Sequence, residues 1–205
     1  ALEKTPDDPG LVALQADLLA ELGRFTDASA VLDAAEDALL ARWDRQIEAS
    51  SPSHRFGLEQ EREQDLVFLW LRRSHVEHRA GDLAGGEATL RRVLERQPAN
   101  PDALNSLAYL LAALGPEERL AEAEGLLRLA LDQRPFSAPF HDSLGLVLLR
   151  QGKVDDALTH LRNADAWQPG RAEIQEHLAD ALRAAGDADK ALAVYRQALE
   201  STDLT

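Results

Sequence analysis

Apolar residues recur along most of this chain at three- and four-residue spacing, which places their side chains on one face of an α-helix. Near the end of the chain the same order of large and small residues returns after 34 residues. The matching pairs are Leu144 and Leu178, Leu148 and Leu182, Gly152 and Gly186, Ala157 and Ala191, Leu161 and Tyr195, and Ala164 and Ala198. A fixed period of this length predicts a stack of helical repeats, each packed on its neighbours.

Within each repeat the pattern predicts two helices joined by a glycine turn. Glycine ends the first helix because it adopts the left-handed C-cap conformation at little cost. A small residue in the second helix then allows the two helices to approach closely. The turn glycines are Gly23, Gly81, Gly115, Gly152 and Gly186, and the small residues are Ala28, Gly86, Ala123, Ala157 and Ala191. Strict alternation of apolar and polar residues is missing, so the sequence predicts an all-α fold.

The spacing of the closing prolines locates an insertion in the first half of the chain. These prolines are Pro6, Pro98, Pro135 and Pro169. The first interval is 92 residues, which is two repeats and 24 further residues. We place the excess at about 41–66 as an extended helical hairpin, with one helix from Thr26 to Ile47, a break at 50–57 and a second helix from Leu58 to Ala80. The hairpin is interpreted either as a tolerated insertion or as a partner contact, because Trp43 and Phe56 would lie near its tip.

Composition narrows the classes of function. The chain has 205 residues and a formal net charge of −14, which disfavours nucleic acid and anionic membrane surfaces as partners. No apolar run is long enough to cross a bilayer, so we expect no direct membrane insertion. Cysteine is absent, which excludes disulfides and thiol catalysis and is compatible with either the cytoplasm or the periplasm.

From Pro9 to Ser201 the chain resembles the tetratricopeptide repeat family. The last two repeats carry the closest likeness, and the third, with Leu104–Ala108 and Ala123, also fits. The second keeps Trp70 but departs from the family pattern at Arg73, Ser74 and Glu77. The resemblance implies a right-handed superhelix, an α-solenoid of about five helix-turn-helix repeats, in a single domain over 1–205. The repeats are expected at about 9–42, 66–98, 101–135, 138–169 and 172–203.

Residues that catalyse reactions or bind metals form no recognisable pattern. His75 and His78 are only two potential ligands, whereas zinc sites usually have three or more protein ligands. They are also three residues apart, whereas two zinc-binding histidines on one helix are usually four residues apart. Phosphate loops, dinucleotide-binding glycines and a Ser-His-Asp order are missing. We therefore predict no catalytic residue, no metal and no cofactor, and we interpret His141 as a structural residue.

The candidate binding site is a groove on the concave face, which the resemblance implies is lined by first helices. Its predicted residues are Arg72, His75, Arg79, Asn105, Tyr109, Asp142 and Arg150. Asn105 would hydrogen-bond a peptide backbone, Tyr109 would offer a flat apolar surface, and the arginines would take carboxylates. An acidic or C-terminal peptide fits this set, and an ordinary solvated face is the alternative. The chaperone-clamping activity of some family members is not implied, because the corresponding residues include Asp142 and Asp180.

The resemblance implies a non-catalytic scaffold that binds a protein or peptide partner and assembles a bacterial multiprotein complex. The amino-acid sequence of 142–145 and 176–180 is similar to that of repeat arrays in bacterial cell-envelope and polysaccharide-export proteins. The alternative is an oligomerisation or regulatory appendage of a larger enzyme. Ala1–Pro6 matches the closing residues of a repeat, so we expect the chain to be a segment of a larger protein.

The last helix presents an apolar face with no helix after it to cover it. Its apolar residues are Ala191, Val194, Tyr195, Ala198 and Leu199. Arrays of this kind normally end in a polar face. We therefore expect the face to be covered by another copy of the chain, by the tail 201–205 or by downstream sequence.

Overall fold

The computed structural model describes residues 8–114 and 117–202, which form ten α-helices and no strand. A short 3-10 turn, Glu117–Arg119, precedes the sixth helix. The helices are α1 (Pro9–Glu21), α2 (Phe25–Ala49), α3 (Pro52–Arg79), α4 (Leu83–Arg96), α5 (Pro101–Leu114), α6 (Leu120–Gln133), α7 (Ala138–Arg150), α8 (Val154–Trp167), α9 (Ala172–Ala184) and α10 (Ala188–Thr202). The predicted all-α class is therefore confirmed over these residues.

The helices belong to two compact units. The first, Ala1–Arg96, contains α1 to α4, and the second, Gln97–Thr205, contains α5 to α10. Within each unit every odd-numbered helix packs on the even-numbered helix that follows it, and successive pairs pack on one another. The expectation of one domain over the whole chain stays a prediction.

Glycine turns join the two helices of each pair as the sequence predicts. Gly23, Gly81, Gly152 and Gly186 have φ between 72° and 85°, the left-handed region that glycine adopts without steric cost. The amide after each glycine donates to the carbonyl five residues earlier, as from Lys153 to Leu148, which satisfies a carbonyl at the helix end. Gly115, Ala1–Pro6 and 203–205, to which the sequence analysis assigned roles, lie outside the described residues.

Small residues bring the paired helices together. Ala28, Ala123 and Ala157 have no exposed surface, and Gly86 and Ala191 are also buried. A closer approach occurs between α7 and α8, where a Cβ atom added at Gly145 would collide with the side chain of Leu161. Close packing of this kind excludes larger side chains at these positions.

The insertion is a long hairpin, but its turn is shorter than predicted. α2 has 25 residues and α3 has 28, and only Ser50 and Ser51 separate them. The predicted start of the second helix at Leu58 is wrong, because Pro52 occupies the first turn, where its fixed φ favours the helix, and Gly57 is tolerated inside it.

The two aromatic residues of the hairpin have different environments. Trp43 is buried, and its Nε1 donates to Oδ2 of Asp65 at 3.0 Å, so it joins α2 to α3. Phe56 is 71% exposed in the first turns of α3. Of the two, only Phe56 is available on the surface of this hairpin.

Two of the departures of the second repeat from the family pattern, Arg73 and Ser74, have polar partners. Arg73 on α3 pairs with Asp33 and with Glu36, at 2.6 and 3.2 Å. Ser74 is buried, and its hydroxyl donates to the carbonyl of Leu71 at 2.8 Å. Ion pairs and a local hydrogen bond therefore take the place of apolar contacts on this face of α3.

Candidate functional site

The predicted groove residues divide between the two units. Arg72, His75 and Arg79 lie on α3 of the first unit. Asn105 and Tyr109 on α5, and Asp142 and Arg150 on α7, lie in the second unit. The three first helices of the second unit, α5, α7 and α9, pack side by side, which brings residues of successive repeats together.

In the first unit the basic residues face a carboxylate. Nη1 of Arg72 lies 3.4 Å from Oδ2 of Asp17, and Nδ1 of His75 lies 3.8 Å from Oδ1 of the same carboxylate. Arg79 is exposed and has no side-chain partner in the described part of the chain. Asp17 on α1 thus offsets much of the positive charge that the sequence suggested here.

In the second unit Asn105 and Tyr109 lie one turn apart on α5 and are both half-buried. The Oδ1 atom of Asn105 is buried and accepts no hydrogen bond from the residues described. Burial raises the pKa of the Tyr109 hydroxyl, and the negative charges of Glu173 and Asp142 raise it further. An acceptor without a donor therefore lies beside a neutral phenol and two carboxylates.

Asp142 is buried on α7 and is bound to the next first helix. Its Oδ1 accepts a hydrogen bond from Nδ1 of His177 on α9 at 2.9 Å. Burial lowers the pKa of His177, but the hydrogen bond and attraction from Asp142, together with Glu173 and Glu176, outweigh burial and raise the pKa above its ordinary value. This pair holds α7 and α9 in register beside Tyr109.

His177 is the site residue that sequence reasoning missed. It lies 35 residues after Asp142, which is one residue more than the 34-residue repeat. That spacing places the two residues on adjacent first helices. Arg150, predicted as part of the groove, is exposed at the end of α7 and has no side-chain partner among the described residues.

A second polar contact lies further along α9. The Tyr195 hydroxyl on α10 donates to Oδ1 of Asp180 at 2.6 Å, and Arg183 donates to the same oxygen at 3.1 Å. Burial raises the pKa of Asp180, but these two hydrogen bonds outweigh burial, and the pKa is below its ordinary value. The hydrogen bonds of Asp180 are therefore made within its own helix pair, α9 and α10.

The described residues contain no group of three or more His, Asp or Glu side chains placed to hold a metal ion. His141 and His160 form a close pair, with their Nδ1 atoms 2.7 Å apart, and the His141 ring lies 4.7 Å from the ring of Trp167. Among the helices of residues 8–114 and 117–202, none has the length and apolar character to span a bilayer.

Known proteins resemble this chain in sequence and in fold. The tetratricopeptide repeat pattern matches residues 24–203. The TPR repeat-containing protein PA4667 of Pseudomonas aeruginosa is 35% identical over 180 residues, which are 81% of this chain and 30% of that protein. The chain thus spans less than a third of the length of this curated relative.

Two solved structures illustrate the likeness in fold. The thermophilic TPR protein TTC0263 of Thermus thermophilus superimposes with a TM-score of 0.70 at 21% identity, covering 94% of this chain and 91% of that one. The O-GlcNAc transferase of Thermobaculum terrenum gives a TM-score of 0.55 at 31% identity, over 59% of this chain and 23% of that one. These matches confirm the predicted α-solenoid class of helix-turn-helix repeats, a fold that serves protein–protein interaction. The chain belongs to the tetratricopeptide repeat family.

Proposed function

We propose that this chain is a non-catalytic scaffold that binds an extended segment of a partner protein on the α5–α7–α9 patch. This patch consists of Asn105, Tyr109, Asp142, Glu173 and His177. The proposal is based on the buried Oδ1 of Asn105, which accepts no hydrogen bond from the described residues. A buried acceptor without a donor costs free energy, and a backbone N–H of a bound peptide would satisfy it.

The surroundings of Asn105 favour a segment that carries Lys or Arg. Glu173 and Asp142 are close enough to Tyr109 to raise its pKa, so the negative potential extends over the ring. The net charge of −14 attracts a basic segment at long range as well. The ring of Tyr109 adds a flat apolar surface, against which the aliphatic part of a bound Lys or Arg side chain would pack.

The acidic partner expected from the sequence has weaker support. Two of the basic residues that would receive it, Arg72 and His75, already face Asp17. Arg79 and Arg150 stay exposed and are the residues on which such a partner would depend.

Selection from a displayed library of random peptides tests both possibilities. The wild-type chain is expected to enrich peptides with Lys or Arg, and the variant Asn105→Ala with Tyr109→Ala should lose that enrichment. Arg79→Gln serves as the matched control on the first unit and should enrich the same peptides as the wild type. The opposite result would be that the wild type enriches acidic peptides and Arg79→Gln does not. That result would show that the arginines form the binding site, and it would contradict the proposal for the patch.

A second candidate function is an oligomerisation or regulatory appendage of a larger enzyme. The partial match to an O-GlcNAc transferase, which covers 23% of that protein, supports this alternative. The complete gene that encodes this chain tests it, since an adjoining catalytic domain favours the appendage and an adjoining lipoprotein signal favours a cell-envelope scaffold. Assembly of a complex for polysaccharide export stays an expectation from the sequence alone.

A further inference from the structure

The α5–α7–α9 patch contains a histidine, His177, beside the two carboxylates Asp142 and Glu173. Histidine is the side chain whose ordinary pKa lies closest to physiological pH, so it gains and loses a proton under mild conditions. The net charge that the patch presents to a partner therefore depends on the protonation state of His177.

The contact between His177 and Asp142 allows this charge to change while the hydrogen bond is kept. Nδ1 of His177 donates to Oδ1 of Asp142 at 2.9 Å. The protonated imidazole carries a hydrogen on Nδ1, and the neutral ring keeps it there because the carboxylate accepts it. The protonated ring compensates the negative charge of Asp142, whereas the neutral ring leaves that charge uncompensated. Because both side chains are largely buried, water and salt screen this difference only in part.

The charges that act most strongly on His177 are negative and come from two helices. Glu173 and Glu176 lie on its own helix, α9, and Asp142 lies on α7. The helix α8 also packs on α9, but it contributes none of these charges. His177 is therefore the basic group within a cluster of carboxylates.

The remaining titratable neighbours leave His177 in control of the charge. Further along α9 it acts on Asp180, whose carboxylate accepts hydrogen bonds from Arg183 and from the Tyr195 hydroxyl of α10. Arg183 thus already offsets the charge of Asp180. On α5, burial and the patch carboxylates raise the pKa of Tyr109, so its phenol stays neutral near neutral pH. Protonation of His177 is then the event that changes the charge of the patch under mild conditions.

The same surroundings place this event close to neutral pH. Burial lowers the pKa of His177, but the hydrogen bond with Asp142 and the charges of Asp142, Glu173 and Glu176 raise it above its ordinary value. A basic residue bound at the patch acts in the opposite direction, because it repels the imidazolium ion. Protonation of His177 and binding of a basic segment therefore oppose each other.

We propose that protonation of His177 releases the basic segment from the α5–α7–α9 patch, so that binding is strong at mildly alkaline pH and weak at mildly acidic pH. This inference rests on the proposed function and adds its regulation. Affinity is highest above the pKa that His177 has in the free, folded protein, and it falls as pH decreases through that value. One unit charge several ångströms away in a partly exposed site changes affinity by about three- to tenfold.

Fluorescence anisotropy of a peptide bound to the 205-residue chain tests the proposal between about pH 6 and pH 9. The probe is the peptide that the wild type selects most strongly, prepared with blocked termini and with arginine as its only ionisable side chain. Its own charge is then constant over this range. The Kd at the acidic end should be about three- to tenfold higher than the Kd at the alkaline end.

The variant His177→Gln separates His177 from the other titratable groups. The glutamine amide can donate to Asp142 but does not gain a proton, so the ratio of the two Kd values should fall close to one. His54→Gln is the matched control at an exposed histidine of α3, which contacts the Ser51 hydroxyl, and it should keep the wild-type ratio. Helical circular dichroism at both pH values shows whether each variant is folded.

Nuclear magnetic resonance of the His177 ring in the wild type provides a second measurement that needs no variant. Binding and protonation are reciprocally linked, so saturation with the peptide should lower the pKa of His177 by the logarithm of the same factor. A pKa that stays the same when the peptide is bound would contradict the inference.

The outcomes distinguish this inference from the proposed function. A wild type that binds no peptide at any pH would contradict the proposed function and the inference with it. A peptide that binds with the same Kd at both ends of the range would contradict only the regulation by His177. So would a pH dependence that folded His177→Gln retains, because another group would then be its cause.

Discussion

Asp142 on α7 and His177 on α9 are joined by a 2.9 Å hydrogen bond between Oδ1 and Nδ1. The carboxylate accepts, so Nδ1 of His177 carries the hydrogen. Both side chains are largely buried, with 9% and 16% of their surface exposed. The bond links two successive repeats within the second unit and places a hydrogen-bonded carboxylate and imidazole beside Tyr109.

His177→Gln should destabilise the protein more at low pH than at high pH. The folded state raises the pKa of His177 above its unfolded value, so the stabilisation is fully present below that unfolded value and is lost as pH rises through the folded pKa. A hydrogen bond between charged groups contributes about 1.5–3 kcal/mol, and the neutral bond contributes less. Urea unfolding of both proteins between about pH 6 and pH 9 measures the difference. A difference that stays constant, or grows toward high pH, would contradict this assignment.

His141 and His160 should show the opposite dependence. Burial lowers the pKa of both, and for His160 repulsion from His141 and from Arg128 on α6 adds to burial, while Asp156 on α8 opposes it. Nε2 of His141 donates to the carbonyl of Pro135 at 3.1 Å, so its Nδ1 accepts from Nδ1 of His160.

The stabilisation by this neutral pair is present above the unfolded pKa and is lost as pH falls through the lowered folded values. The variant His160→Gln keeps an amide donor for His141, and the glutamine side chain itself does not titrate. The wild type should therefore lose more stability than this variant between about pH 7 and pH 5. Equal losses in urea unfolding of the two proteins would contradict a contribution of His160 to the pH dependence in this range.

Gly145→Ala should destabilise the protein by about 1–3 kcal/mol through overpacking, because the added Cβ would collide with Leu161. Gly125→Ala is the matched control, since a Cβ there meets no neighbouring atom and lies in helix α6. It should stabilise the protein by about 0.5–1 kcal/mol, because alanine is the better helix former. Thermal unfolding compares the two variants, and the same sign for both would contradict the close approach of α7 and α8.

The helix pairs were predictable because local features determine them. The turn glycines with positive φ and the buried small residues follow from short sequence patterns, and four of the five predicted turns lie within the described residues and are confirmed. The start of α3 was missed because Ser, Pro and Gly near 50–57 suggest a loop, whereas Pro52 begins the helix.

The site was less predictable because it depends on contacts between repeats. Asp17 faces Arg72 from 55 positions earlier in the chain, and no local pattern signals that pairing. His177 was missed for the same reason, since its role depends on the neighbouring helix α7. The repeat period could have identified it, because residues one period apart lie on adjacent first helices.

Peptide binding by Asn105→Leu tests the central claim most directly. Leucine removes the unsatisfied buried acceptor at similar volume, so the melting temperature should stay the same or rise. Binding of the strongest peptide selected by the wild type, measured by fluorescence anisotropy, should weaken by at least about tenfold, since the bound N–H would lose its acceptor. Unchanged affinity in this stable variant would contradict a binding role for Asn105 and for the α5–α7–α9 patch.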